Sequence, residues 1–289
     1  MTVMTVTSGT SGPHAATPDG APALVVVAHG SRDPRALSTV RALLDQVRAL
    51  RPALPVHLGH IELNEPPLPD TLAALGDGRA VLVPLLLSRG HHVKRDIPET
   101  AAASPARTRV AAPLGPHPLL VDALHDRLTE AGWPTRAPRG GAVVLASAGS
   151  RDPDSKADTA RAATLLADRL GVPVVPAYAS AAAPTVPEAV RALTARGHRR
   201  VAVASYFTAP GRFATECAAA APWIAALPLG THPAMARLLL HRYDRAWTTG
   251  GEDHVPEGAR EASACGSAAL ARAATTYPAL ARQPHPAPA

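Results

Sequence analysis

The chain has 289 residues, 46% hydrophobic, 18% charged and only 3% aromatic, with a formal charge of +6; this length leaves room for two ordinary domains with cores of Ala, Val and Leu. Its two cysteines, Cys217 and Cys265, lack CxxC spacing, which argues against a disulfide framework or a thiolate zinc site, and the longest clean apolar run, Ala80 to Leu87, falls far short of the roughly 20 residues that span a bilayer. The positive charge reflects either an Arg-rich composition or a small polyanionic partner; no basic run is interleaved with aromatics, so neither nucleic acid nor a membrane is expected as a partner.

Residues 1–21 are rich in Thr, Ser, Gly and Pro and have no basic segment followed by an apolar one, so they read as a disordered leader in a soluble, cytoplasmic protein. Strands are expected over Ala23–Ala28, Val56–Leu63, Ala80–Leu87 and Thr108–Ala112. All but the second are nearly continuous apolar runs, the pattern of strands covered by helices on both faces, which predicts an α/β fold with a mainly parallel four-stranded sheet. Leu37, Val40, Leu44, Val47 and Leu50 recur at helical spacing behind Asp33 and Pro34, a sound N-cap and first-turn pair. Further helices are expected over Leu68–Leu75, after Asp96–Pro98, and from Pro118 to about Leu128. These elements make a first lobe over residues 22–135. A linker follows over 136–141, then a second lobe over 142–247. Residues 248–289 read as a mostly disordered tail with at most a weak helix over Ala262–Thr276.

The second lobe is a copy of the first. LVVVAHGSRDP, from Leu24 to Pro34, matches VVLASAGSRDP from Val143 to Pro153; RAVLVPLLLSRGHH from Arg79 matches RRVAVASYFTAPGRF near Arg200; PLGPHP from Pro113 matches PLGTHP from Pro228. The order is kept and the offset barely drifts, so the fold is an internal duplication. The first copy carries His29, Glu62 and His92 where the second offers Ala148, Ser180 and Phe213. The second nevertheless retains Gly149, Ser150, Arg151, Asp152 and Pro153, which marks the Gly-Ser-Arg-Asp-Pro frame as structural and the lost residues as functional.

Ligands of open parallel sheets bind beyond the carboxyl ends of the strands. His29 ends the first expected strand, Glu62 lies near the end of the second, and His92 follows the third, so three segments point to one sheet edge. Two imidazoles and a carboxylate suit an open site for a divalent first-row ion, with the remaining positions left to water or substrate. A histidine that merely fixes a loop by hydrogen bonding is the competing account of His29 alone. His91 and His92 are adjacent and cannot both face one ion, so one of them supports the site or touches substrate. His117 and His232 occupy matching places in both copies, which favours a structural or helix-capping role. A phosphate-accepting histidine would want an arginine before it, where this chain has Ala28, and no Walker or GxGxxG loop occurs.

AHGSRDP at Ala28, HIELNEPPL from His60 and VPLLLSRGHHVKRDIP from Val83 resemble the CbiX/SirB-type sirohydrochlorin chelatases, in a fused two-domain form covering Ala23 to about Trp247. The resemblance implies two chelatase-like lobes and insertion of Fe2+ into sirohydrochlorin for siroheme, or of Co2+ for cobalamin. It implies that His29, Glu62 and His92 are the catalytic, metal-holding residues, with Asp96 and Pro98 in the same motif. The metal is then a substrate and no tightly bound cofactor is needed. Ser31, Arg32, Arg89, His91, Lys94 and Arg95 flank the expected ligands as candidate contacts for an anionic tetrapyrrole. Relatives with one domain pair as dimers, so this chain is expected to act as a monomer with one active site. A non-catalytic metal carrier or tetrapyrrole-binding protein is the alternative from another class.

Overall fold

A computed structural model describes residues 21–249; the expected leader before them, the expected tail beyond them and the weak helix over Ala262–Thr276 lie outside the described residues. The first lobe runs β1 (Ala23–Ala28), α1 (Pro34–Leu50), β2 (Val56–His60), α2 (Leu68–Ala73), β3 (Arg79–Pro84), a π-helical turn (His92–Asp96), α3 (Ile97–Ala102), β4 (Arg107–Val110) and α4 (Pro118–Glu130). The second repeats the order without the π-helical turn: β5 (Gly141–Ser147), α5 (Pro153–Leu170), β6 (Val174–Tyr178), α6 (Val186–Ala195), β7 (Arg200–Ser205), α7 (Arg212–Ala219), β8 (Ile224–Ala225) and α8 (Pro233–Thr248). Each lobe holds one wholly parallel four-stranded sheet, ordered β2-β1-β3-β4 and β6-β5-β7-β8.

The helices start where the sequence places their caps. Asp33 Oδ1 accepts from the Arg35 amide at 2.9 Å, and Asp152 Oδ1 accepts from the Asp154 amide at 2.9 Å, each just before a first-turn proline that has no N–H to leave unsatisfied. His117 and His232 do the same for α4 and α8, each Nδ1 accepting an amide N–H at 3.2 Å. The capping role expected from their persistence in both copies is the one they have.

Strand faces alternate strictly. Val25, Val27, Ala80 and Leu82 pack with Leu68, Leu72, Ile97 and Ala101 of α2 and α3, while Leu24, Val26, Val81 and Val83 on the opposite face join a larger core that continues into the second lobe. That continuity comes from an exchange of helices. Helix α8 packs on α1, β3 and β4 of the first lobe, α4 packs on α5 and β7 of the second, and the two pack on each other. Tyr243 of α8 is 1% exposed and donates to the Pro22 carbonyl at 2.6 Å, closing the start of β1. No described helix is long and apolar enough to cross a membrane.

The expected strands run past their true ends in a way that builds the site. Strand β2 stops at His60 and not at Leu63, because Leu63 turns into the left-handed region with φ of 66°. Ile61 and Glu62 still donate to the carbonyls of Ala28 and His29, each at 2.9 Å. Strand β3 stops at Pro84, which has no N–H for a ladder, although the Leu85 amide still donates to Val27 at 2.8 Å. Strand β4 begins one residue before the expected range and ends at Val110, and as an edge strand it exposes Arg107 and Arg109.

Candidate metal centre

Strand β1 lies between β2 and β3, so the chain leaves it in one direction for β2 and crosses back over it to reach β3. The carboxyl ends of β1 and β3 therefore flank a topological switch point, where the loops diverge and leave a crevice. His29 follows β1 directly. Gly30 then takes φ of 102°, and a Cβ on it would stand 1.9 Å from the Glu62 carbonyl oxygen. Only glycine lets the His29 loop lie this close to the Glu62 loop. The second lobe keeps the device without the chemistry: Gly149 has φ of 91°, and its Cβ would stand 1.9 Å from the Ser180 carbonyl. Ser180 is thus the structural counterpart of Glu62, as the sequence pairing has it.

Within the frame, the Ser31 amide donates to Asn64 Oδ1 at 2.7 Å, and Ser31 Oγ accepts from the Asp33 amide at 3.1 Å. Ser150 Oγ repeats the second contact with the Asp152 amide at 3.1 Å. The repeated serine is therefore a loop-forming residue in both copies. Asn64, which ties the two loops of the site together, went unnoticed in the sequence although it lies inside the HIELNEPPL segment.

One ligand atom each from His29, Glu62 and His92 lies within 4.8 Å of the others. The two imidazoles meet edge to face, with centroids 4.8 Å apart and planes at 84°. His29 and Glu62 are exposed and His92 is partly buried, so the trio is accessible from solvent. His92 opens the π-helical turn and Asp96 closes it, which brings the Asp96 Oδ2 to 2.5 Å from His92 Nδ1. An Nδ1–H donated to that carboxylate leaves Nε2 unprotonated and available for a metal. The sequence suggested a helix only after Asp96; the wider turn before it is an addition of the structure, and such turns recur at functional sites. His91 is not among the three grouped donors; its side chain is 76% exposed, its ring meets that of His92 at 6.3 Å between centroids, and its Nε2 lies 3.4 Å from the other Asp96 oxygen.

Behind Glu62 and Asp96 is a cavity of about 260 Å³ lined also by His60, Ile61, Leu68 and Thr100. Burial pushes the His60 imidazole below the ordinary histidine pKa, and its Nδ1 lies 3.1 Å from the Pro66 carbonyl.

The basic residues divide into two groups. Arg32 and Arg95 are exposed, each three residues along the chain from a histidine of the trio. Arg89 and Lys94 face carboxylates of the second lobe: the Arg89 guanidinium meets Asp158 at 2.7 Å, and Lys94 Nζ lies 2.8 Å from both Asp152 and Asp154. The Lys94 ammonium holds the carboxyls of Asp152 and Asp154 below the usual range. Nothing local in the sequence announces these contacts, because Arg89 and Asp158 are 69 residues apart.

The model of the CbiX family matches this chain twice, over residues 23–131 and 142–246. Sirohydrochlorin ferrochelatase of Bacillus subtilis is 34% identical over 176 residues, covering 57% of this chain and 66% of that protein. A sirohydrochlorin cobaltochelatase of Methanococcus aeolicus is 36% identical over 80 residues, covering 27% of this chain and 56% of its own length. The alignments thus span two thirds or less of both curated relatives. Among solved structures, SirB from Bacillus subtilis with Fe3+ superposes with a TM-score of 0.66 at 26% identity, covering 81% of this chain and 98% of that one. Two successive matches that take in nearly all of both lobes place the protein in the CbiX family.

Proposed function

We propose that the protein is a sirohydrochlorin chelatase that inserts Fe2+ to form siroheme. The observation that carries this reading is the convergence of His29, Glu62 and His92 at the switch point of the first sheet, in a chain whose second copy has lost all three. Three nitrogen and oxygen donors leave coordination positions open, so an ion held here can take macrocycle nitrogens as protein bonds release. The ion is substrate and the protein keeps no cofactor of its own. Insertion of a divalent ion displaces two pyrrole N–H protons, and the Glu62 carboxylate and a released imidazole are the groups at hand to accept them. Asp96 fixes the His92 tautomer throughout.

The macrocycle is ringed by carboxylates, for which Arg32 and Arg95 are the proposed cationic contacts, with Ser31 and His91 as polar ones. Arg89 and Lys94 are held by aspartates and shape the rim. The chain supplies both lobes of the cleft and works as a monomer in the cytoplasm. Cobalt insertion is the close alternative, because such a donor set binds Co2+ at least as well as Fe2+, and several relatives are named cobaltochelatases.

The test is anaerobic absorbance of sirohydrochlorin with Fe2+ or Co2+ at limiting enzyme. Wild type converts the spectrum well above background, while His29→Ala and His92→Ala fall to the uncatalysed rate. Metal binding without accelerated conversion by wild type would leave a carrier or tetrapyrrole-binding role.

A further inference from the structure

The second lobe has lost the metal ligands but has gained a set of contacts that the first lobe does not return. Three consecutive residues of the loop that leads to His92 are tied to it. Tyr206 donates its buried hydroxyl to the Leu87 carbonyl at 3.2 Å, Ser88 Oγ lies 2.8 Å from Ser155 Oγ, and Arg89 is held by Asp158. Asp158 is 4% exposed and takes four hydrogen bonds: one from the Arg89 amide at 2.9 Å and three from its guanidinium at 2.7, 3.0 and 3.2 Å. Its carboxylate thus fixes backbone and side chain together, three residues before His92.

The duplication shows that this clamp is one-sided. Gly90 faces Ser150 and Gly211 faces Ser31, a Cβ on either glycine standing 3.9 Å from the serine Oγ, so each loop meets the other lobe in the same way. By the Arg79 and Arg200 alignment, Ser88 and Arg89 correspond to Ala209 and Pro210; by the GSRDP alignment, Ser155 and Asp158 correspond to Ala36 and Thr39. The reverse clamp therefore has neither carboxylate, nor guanidinium, nor backbone donor. Of the two matching loops, the one that leads to His92 is anchored in this way among the described residues.

We propose that Asp158 is a positioning residue for the metal centre: through Arg89 it holds the Leu87–Gly90 loop so that His92 stays against His29 and Glu62. This rests on the reading of those three residues as metal ligands. The degenerate lobe then serves the first as a fixed anchor, and a flexible loop need not be ordered each time an ion binds.

The full chain is titrated anaerobically with Co2+ alone, following its visible absorption and its dissociation constant, with melting curves and sirohydrochlorin conversion measured on the same samples. Asp158→Ala weakens Co2+ binding about tenfold or more and alters the Co2+ spectrum. Asp158→Asn, which can still accept from the Arg89 amide, recovers part of both. Asp244→Ala is the control for lost stability alone. It breaks the Arg51–Asp244 pair between α1 and α8, and it leaves Co2+ affinity within about twofold while lowering the melting temperature. Unchanged Co2+ affinity and spectrum in Asp158→Ala, or equal weakening by Asp244→Ala, overturns the proposal; so does a wild type that binds no Co2+. Dependence of Co2+ binding on Asp158 in a protein that converts no sirohydrochlorin leaves the clamp standing and removes the chelatase reading.

Discussion

Asp96 and His117 show how two histidine environments in one chain are set to opposite ends. As a proposed metal ligand, His92 must present a free nitrogen outward, and the Asp96 carboxylate behind it supplies the orientation. Asp96→Asn keeps the shape but weakens the acceptor, so metal affinity and insertion rate fall about 10–100-fold with little change in melting temperature; isothermal titration with Co2+ checks this. His117 must instead stay neutral to accept the Leu119 amide, and burial, with Arg242 and His241 nearby, lowers its pKa from 6.5 to about 4. Between those values the unfolded chain binds more protons than the folded one. Stability is therefore full above about pH 6.5 and declines as pH falls towards about 4, by at most about 3 kcal/mol from this group. Burial gives His57 and His60 shifts of the same sign. His117→Asn keeps a capping side chain and flattens the dependence of melting temperature on pH across that window.

At the level of strands and turns, the paired glycines separate folding from chemistry. Gly30 and Gly149 share a positive φ and the same close approach to a neighbouring carbonyl. Alanine at either position forces the loops apart and costs about 2 kcal/mol or more, from backbone strain plus the clash. Both variants melt several degrees lower, but only Gly30→Ala moves Glu62 away from His29 and loses the proposed metal insertion. Equal loss of activity in both would show that the loop geometry of the second lobe matters to the reaction as much as that of the first. Sequence periodicity located the strands on either side of these turns but overran the ends of β2 and β3, because apolar residues (Ile61 and Leu63; Leu85 to Leu87) continue beyond His60 and Pro84, where the strands stop.

Across the whole molecule the two lobes share one core, with α4 and α8 exchanged between them. The ion pairs that cross between the lobes differ in worth because they differ in burial. Removing Arg89 strands Asp158, whose side chain is 5% exposed, whereas the partners of Lys94 are 18% and 46% exposed. Arg89→Ala then costs about 2–3 kcal/mol, discounted from the range for fully buried pairs because the guanidinium is 33% exposed. Lys94→Ala costs about 1 kcal/mol at most. Thermal melts should show a drop of about 5–10 °C for the first and of no more than a few degrees for the second.

The sequence by itself determined the duplication, the mainly parallel sheets, the cap at Asp33, the structural or capping role of His117 and His232, and the three residues that meet at the candidate metal centre. These are legible because strand and helix periodicity, N-cap chemistry and the rule of carboxyl strand ends act over short stretches or repeat within the chain. Only the tertiary structure decided that the last helices are exchanged, that Asp96 reaches back through a π-helical turn to His92, and that Arg89 and Lys94 turn to aspartates of the second lobe. The π-helical turn is local but departs from the ordinary helical period; the other two depend on how elements dock, and a contact between residues 69 apart leaves no periodic trace in the residues that make it.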